Sequence, residues 1–293
     1  MTNLFRKIGK GIAYLTLAGA LAFGTGCATS RVQYNPNPLE QRIERVEQKE
    51  PQNKREKYAV LVSGYTGPRH IENLELAYKT LRGLGFEEDK IFVLDDDDSN
   101  SDVYPLYKRT TKENVKSTLE ELARKVDSND TFLLYTTNHG GLDRISINNE
   151  ANGGKREEEV SNLSMANGDD LYSTELADYL KGINPEVGIL VFDQCHSGGF
   201  ANRLGNGRFV GIAPNVIDEP TTGNTWPQAF WNAYLGNKGD SDSNGRVDLQ
   251  EAFNFAKTND ISTTKQGECY KINGVVHKPI LKTNLDASKI FLN

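Results

Sequence analysis

The sequence predicts an α/β fold, a three-layer α/β/α sandwich on a mostly parallel sheet. Five short apolar runs, at 58–62, 91–94, 131–136, 189–192 and 208–213, are each bounded by turn residues. Such runs fit strands buried on both faces. Stretches with apolar residues at helical spacing separate most of them, which argues for βαβ units with right-handed crossovers. Three of the runs end in Ser63-Gly64, in Asn138-His139-Gly140-Gly141 and in Asp193-Gln194-Cys195. Open α/β sheets bind ligands beyond the carboxyl ends of their strands.

The elements follow in order. After the first strand, Ile71, Leu74, Tyr78, Leu81 and Leu84 recur on one helical face, and Gly85 stops the helix. The second strand ends in Asp95 to Asp98, which read as a solvated strand-end loop. Thr110 and Glu113 form a capping box for a second helix, with Val115, Leu119, Leu122 and Val126 on its apolar face. Ser173 is expected to cap a third, running through Leu176, Tyr179 and Leu180. Between them, 148–169 is rich in Asn, Gly and Glu and reads as an exposed insertion or a site of nicking. No long-period repeat is visible.

The 293 residues suit one large domain, and the net charge of −6 with no basic segment argues against nucleic-acid binding. Residues 1–26 read as a signal peptide: Arg6, Lys7 and Lys10 precede an apolar stretch of 13 residues, 11–23, too short for a spanning helix of about 20. Gly24-Thr25-Gly26-Cys27 resembles a bacterial lipobox, apart from Gly24 where an aliphatic residue is usual. It implies an exported protein, lipid-anchored through Cys27 to the periplasmic or extracellular face of a membrane. Its removal would leave the mature chain near −9. Residues 27–56, with Pro36, Pro38 and Pro51 and few apolar positions, read as a polar tether ahead of a domain at 57–293. Of the other cysteines, Cys195 is expected to be free and Cys269 structural. Two cysteines do not make a disulfide scaffold.

Cys195 and His139 stand at the carboxyl ends of two successive expected strands, which places a thiol and an imidazole in one cleft. A thiol is only a few per cent thiolate at neutral pH, so a nearby imidazole suits nucleophilic catalysis. Glycines flank both, and backbone N–H groups of Gly140 and Cys195 could hold an oxyanion. Competing readings remain: a small buried Cys195, a turn-capping His139, and His196 as a rival base whose side chain should diverge from its neighbour's. His70 and His277 fit structural or surface roles.

The segments Tyr135-Thr-Thr-Asn-His-Gly-Gly141 and Phe192-Asp-Gln-Cys-His-Ser-Gly198 resemble the His-Gly and Asp-X-Cys-X-Ser-Gly signatures of caspase-like (clan CD) cysteine peptidases. Tyr58-Ala-Val-Leu-Val-Ser-Gly-Tyr65, Arg69-His70, Ala77-Tyr78, Leu81 to Phe86 and Lys90 to Val93 are similar to legumain-type peptidases of family C13. The Cys-His-Ser-Gly motif is nearer to metacaspases. The resemblance implies a caspase-hemoglobinase-like fold and a peptide or protein substrate, with no organic cofactor. It implies Cys195 as nucleophile, His139 as acid/base and Gly140 as oxyanion donor. Arg69 and Asp193 would line the S1 pocket. Both together suit Asn or Asp at P1; Asp193 alone suits Arg or Lys. Gly67 stands where legumains carry an Asn supporting the His, and their further acidic S1 residue would fall near Thr225 and Trp226. Transpeptidation of the same thioester is an alternative outcome. A non-catalytic calcium-binding surface module is another.

A second pattern is independent. Residues 240–251, Asp-Ser-Asp-Ser-Asn-Gly-Arg-Val-Asp-Leu-Gln-Glu, follow the EF-hand calcium loop throughout. Oxygen ligands would come from Asp240, Asp242, Asn244, the Arg246 carbonyl, Asp248 and a bidentate Glu251, with Gly245 at the sharp turn. Helical patterns at 230–235 and 249–256 flank it, and a structural Ca²⁺ is expected.

Overall fold

In the computed structural model, residues 54–65, 67–149, 154–221, 225–260 and 277–293 are described. The signal peptide, Cys27, Cys269 and the tether up to residue 53 lie outside them. The apolar runs become β1 (Lys57–Ser63), β2 (Ile91–Asp95), β4 (Thr131–Thr137), β8 (Val187–Phe192) and β9 (Phe209–Ala213). With β3 (Leu106–Arg109) and β10 (Ile280–Lys282) they form a seven-stranded sheet in the order β10-β9-β8-β4-β1-β2-β3. Every pairing is parallel except β10 on β9.

The sheet divides two cores, as period-2 alternation requires. On one face Leu61, Leu133, Tyr135 and Val191 pack with α1 (Pro68–Gly83), α5 (Thr225–Tyr234) and α6 (Leu249–Asn259), which bring Leu74, Leu81, Trp226, Trp231 and Phe253. On the other, Val62, Phe132, Leu134 and Phe192 pack with α2 (Lys112–Leu122), α3 (Ser173–Leu180) and α4 (Gly198–Leu204), which bring Leu119, Leu176 and Phe200. The expected three layers are therefore present.

Several local expectations need correction. The α2 cap is Thr111, whose hydroxyl accepts the Asn114 N–H at 3.1 Å; Thr110 instead donates to the Ser63 carbonyl, tying the strand ends together. Ser173 is the first residue of α3, and Glu175 reaches back to the Tyr172 N–H. The segment 148–169 is not a plain exposed insertion. Its first part closes a long antiparallel hairpin, β5 (Gly140–Asn149) with β6 (Gly154–Leu163), and Val160 to Leu163 are buried. The tip of β6 is exposed and charged, which hid the strand; only its inner end meets the core. A short β7 (Leu171–Tyr172) completes that second sheet.

Candidate active site

Adjacent parallel strands β4 and β8 carry the two expected catalytic residues to one edge. Their register pairs Thr136 with Phe192, so both chains leave the sheet together. Gly140 then lies hard against the second loop. A Cβ there would fall 2.6 Å from the Cys195 carbonyl oxygen and 2.7 Å from that of Asn162, so no side chain fits. His139 is exposed, and its carbonyl accepts the Ser164 N–H at 3.0 Å. Cys195 is free and half-buried, with its thiol directed at the Thr221 carbonyl at 3.2 Å. The structure thus packs Gly140 against Cys195, with His139 the residue before Gly140 in the chain.

His196 turns elsewhere. Its φ of +59° is left-handed, and its Nδ1 pairs with the Ile217 carbonyl at 2.7 Å. The divergence expected from adjacency is present, and the ring engages the loop after β9.

Asp193 is buried beneath this edge. Its Oδ2 accepts from Thr137 at 3.0 Å, Tyr135 at 3.3 Å and Asn73 at 3.4 Å, while Oδ1 is buried without a hydrogen-bond partner. Burial pushes its pKa up to about 7, against the opposing pull of the Thr137 hydroxyl and the Arg69 guanidinium. Arg69 enters through a relay. Its Nε donates to His70 Nε2 at 3.0 Å, which leaves Nδ1–H of His70 to face the Thr137 hydroxyl at 2.8 Å. Thr137 then donates to Asp193. Burial and the nearby Arg69 charge depress His70 to about 3, so it stays neutral. Arg69 and Asp193 are therefore electrostatic neighbours.

Two participants escaped the sequence. His70 is buried and meets the His139 ring edge-on at 5.8 Å between centroids; nothing in its local pattern separates it from a surface histidine. Asp260, at the end of α6, is fully buried, pairs with His277 at 2.7 Å and lies near enough to Asp193 to raise it further. Thr225 donates to it. Asp260 thus lies beside Thr225 but comes from a distant stretch of chain.

The loop 240–251 sits apart, between α5 and α6. Gly245 has φ +85°, a left-handed turn that favours glycine. Carboxylate oxygens of Asp240, Asp242 and Glu251 converge within 4.8 Å of one another. Glu251 Oε1 accepts the N–H groups of Ser241 and Asp242, at 2.8 and 3.2 Å. Asn244 Nδ2 donates to Asp242, and the Arg246 side chain reaches Asn293 and stacks on Phe291. Asp248 is outside the converging trio. Its carboxylate caps α6 by accepting the Glu251 N–H at 2.8 Å. The donor set is all hard oxygen and fits Ca²⁺. Asp95 to Asp98 are satisfied within their own loop by Asn100, Ser99 and Arg109.

The domain described as "Metacaspase, peptidase C14 domain" matches residues 71–203, which include both His139 and Cys195. No curated protein matches the sequence. Among solved structures, protein GSU0716 from Geobacter sulfurreducens shares the fold at a TM-score of 0.52 and 12% identity, covering 80% of this chain and 97% of that one. The caspase-like resemblance thus holds for the fold and the peptidase class. With a mostly parallel sheet flanked by helices and a metacaspase domain match spanning both strand ends, the chain is a cysteine-type peptidase, a hydrolase of caspase-like α/β fold.

Proposed function

We propose that the protein is an endopeptidase in which Cys195 is the nucleophile, His139 the acid/base and Gly140 an oxyanion donor. The carrying observation is the packing of Gly140 on the Cys195 carbonyl, which sets both strand ends around one point. The Cys195 thiol gives its proton to His139, the sulfur attacks the scissile carbonyl carbon, and the C=O π pair moves to oxygen. Collapse breaks the C–N bond, His139 protonates the leaving amine, and a thioester remains. Water, with His139 as base, then releases the acid and the thiol. Labelling by a peptidyl chloromethyl ketone tests this. Alkylation should map to Cys195 and slow in His139→Ala; a reagent that labels elsewhere sinks the assignment.

Specificity is proposed to rest on Asp193. A buried carboxylate with one unpartnered oxygen suits a P1 side chain that donates hydrogen bonds. Arginine and lysine donate and also carry the charge that a buried carboxylate lacks. The metacaspase domain match supports this basic preference. Arg69, coupled to Asp193, favours the second reading, Asn at P1, whose amide can pair with both groups. Aspartate offers no donor. A fluorogenic panel varied at P1 separates these, and strict Asn preference would overturn the basic assignment.

A structural Ca²⁺ is proposed at Asp240, Asp242, Asn244, the Arg246 carbonyl and Glu251, with Asp248 through a water, supported by the convergence of three carboxylates. Acylation of Cys27 is proposed to tether the domain to the membrane. Mass spectrometry of the N-terminal peptide tests it, and an unmodified Cys27 in the mature protein would remove the anchor.

A further inference from the structure

We propose that Asn162 is the positioning residue that aims the oxyanion-binding turn, a role that rests on the assignment of Cys195 and His139 above. The turn His139-Gly140-Gly141 has no side chain of its own beyond the histidine, and two glycines cannot hold a peptide plane by themselves. Strand β6 holds it instead. Residue pairs in an antiparallel ladder alternate between hydrogen-bonded and non-hydrogen-bonded. Gly140 pairs with Leu163, and the Ser164 N–H reaches the His139 carbonyl at 3.0 Å. The 139/164 pair is therefore a bonded one and the 140/163 pair is not. The Gly140 N–H accordingly projects away from β6 and is free to meet an oxyanion.

The next donor is removed from competition. The Gly141 N–H is taken by Asn162 Oδ1 at 2.8 Å, a side-chain bond made by the residue directly opposite it in the ladder. Asn162 is 3% exposed, so this bond is made in a dry setting. Its orientation is enforced from behind. Asn162 Nδ2 donates to Asp143 Oδ2 at 2.6 Å, and the Tyr172 hydroxyl donates to the same oxygen at 3.2 Å. A flipped amide would turn its oxygen onto that carboxylate. The main chain contributes too, because the Asn162 carbonyl lies 2.7 Å from where a Gly140 Cβ would be. Asn162 thus fixes the peptide plane on one side of Gly140 while the Cys195 loop bounds the other. It touches no reacting atom and acts through the turn.

The test uses two electrophiles that differ in their need for the oxyanion site. A peptide aldehyde bearing the P1 residue that the parent enzyme accepts forms a hemithioacetal. Its carbonyl carbon bonds to sulfur, the π pair moves to oxygen, and the thiol proton ends on that oxygen. Iodoacetamide instead alkylates the sulfur at an sp³ carbon with loss of iodide and makes no oxyanion. Asn162→Asp keeps the shape but opposes a carboxylate to Asp143. Expected for it are a fall in kcat and in aldehyde affinity of about 10- to 100-fold, below the loss from deleting an oxyanion donor outright, with KM within about twofold. The rate of iodoacetamide labelling at Cys195 should be unchanged. Asp143→Asn, which keeps a neutral partner for Asn162, should show a smaller loss in the same two quantities. Unchanged aldehyde affinity in Asn162→Asp overturns the proposal, as does a labelling rate that falls in step with kcat, since that reports general damage. A parent enzyme that binds no aldehyde and does not label at Cys195 overturns the nucleophile assignment instead.

Discussion

The carboxylates Asp193, beneath the strand ends, and Glu251, in the 240–251 loop, are both buried but are held by different means. Asp193 is surrounded by side-chain hydroxyls and an amide, and burial lifts it to about 7. Glu251 is also pulled up by burial, yet the Asp248 N–H, the Ser241 hydroxyl and the N–H groups of Ser241 and Asp242 hold it below the usual carboxylate range. Four donors, three of them backbone N–H groups, stabilise the charged form of Glu251; the two hydroxyls and one amide around Asp193, all on a single oxygen, do not make up for lost water. On the proposed specificity, the unpartnered oxygen of Asp193 would take a donor brought by substrate. Carboxylate oxygens of Asp240, Asp242 and Glu251 crowd one another, which a divalent cation would relieve.

The sharpest way to break this contrast is Asp193→Asn. Removing the acceptor charge should lower kcat/KM for basic P1 substrates by about 10²-fold or more, in line with roughly 2–5 kcal/mol for one member of a buried charge pair. Alkylation of Cys195 by iodoacetamide should persist. Equal activity in the variant would dismiss Asp193 as the P1 determinant.

The pH dependence of the same group comes next. An acid raised from the unfolded value near 3.9 to about 7 in the fold keeps its proton longer when folded. Its contribution to stability is fully present below about pH 4 and is lost as pH rises through about 7. Substrate binding runs the other way, since only the ionised form attracts a cation. KM for an arginyl substrate should fall between pH 6 and 8 while the melting temperature of the free enzyme also falls, relative to Asp193→Asn. A KM that does not change with pH across that range would contradict the assignment.

How much was legible follows the same divide. The sheet could be read because β1, β4 and β8 are uninterrupted apolar runs, and the dyad because its residues sit at their ends. The relay through His70 and Thr137 could not, because its members are ordinary residues joined only by strand register: Ser63 pairs with Thr137 across β1 and β4. Asp260 acts on Asp193 through charge alone, from a position just past the end of α6 that is 67 residues away in the chain. The hairpin was missed because polar alternation resembles a loop until the burial of Val160 and Leu163 is known. The calcium-loop pattern, by contrast, is wholly local, so the proposed ligands could all be read from one stretch of sequence. Even there, the sequence did not tell that Asp248 would be engaged in capping α6.

Calcium sharpens the loop half of the comparison. At 100 times its dissociation constant, Ca²⁺ should add about 2.7 kcal/mol of stability, or roughly 5–10 °C in melting temperature for a domain of this size. Glu251→Ala should abolish that rise. A parent whose melting temperature ignores Ca²⁺ would dispose of the site.

The smallest effect is expected at the third acidic cluster, and it tests whether acidity alone matters. Asp95 to Asp98 hold as many carboxylates as the calcium loop, but their partners are already in place. Asp95 is buried and bonded to Asn100 at 2.6 Å and to the Asp96 N–H at 2.8 Å. Arg109 pairs with Asp96 at 2.9 Å and with Asp98 at 3.5 Å. Asp98 is 71% exposed at its side chain, where screened pairs contribute little. Asp98→Asn should therefore change stability by less than about 0.5 kcal/mol and leave the Ca²⁺-induced shift intact. If Asp98→Asn instead removed that shift while Glu251→Ala kept it, the ion would belong to the β2 loop. The convergence of carboxylate oxygens on one point would then fail as a guide to where this protein would hold a cation.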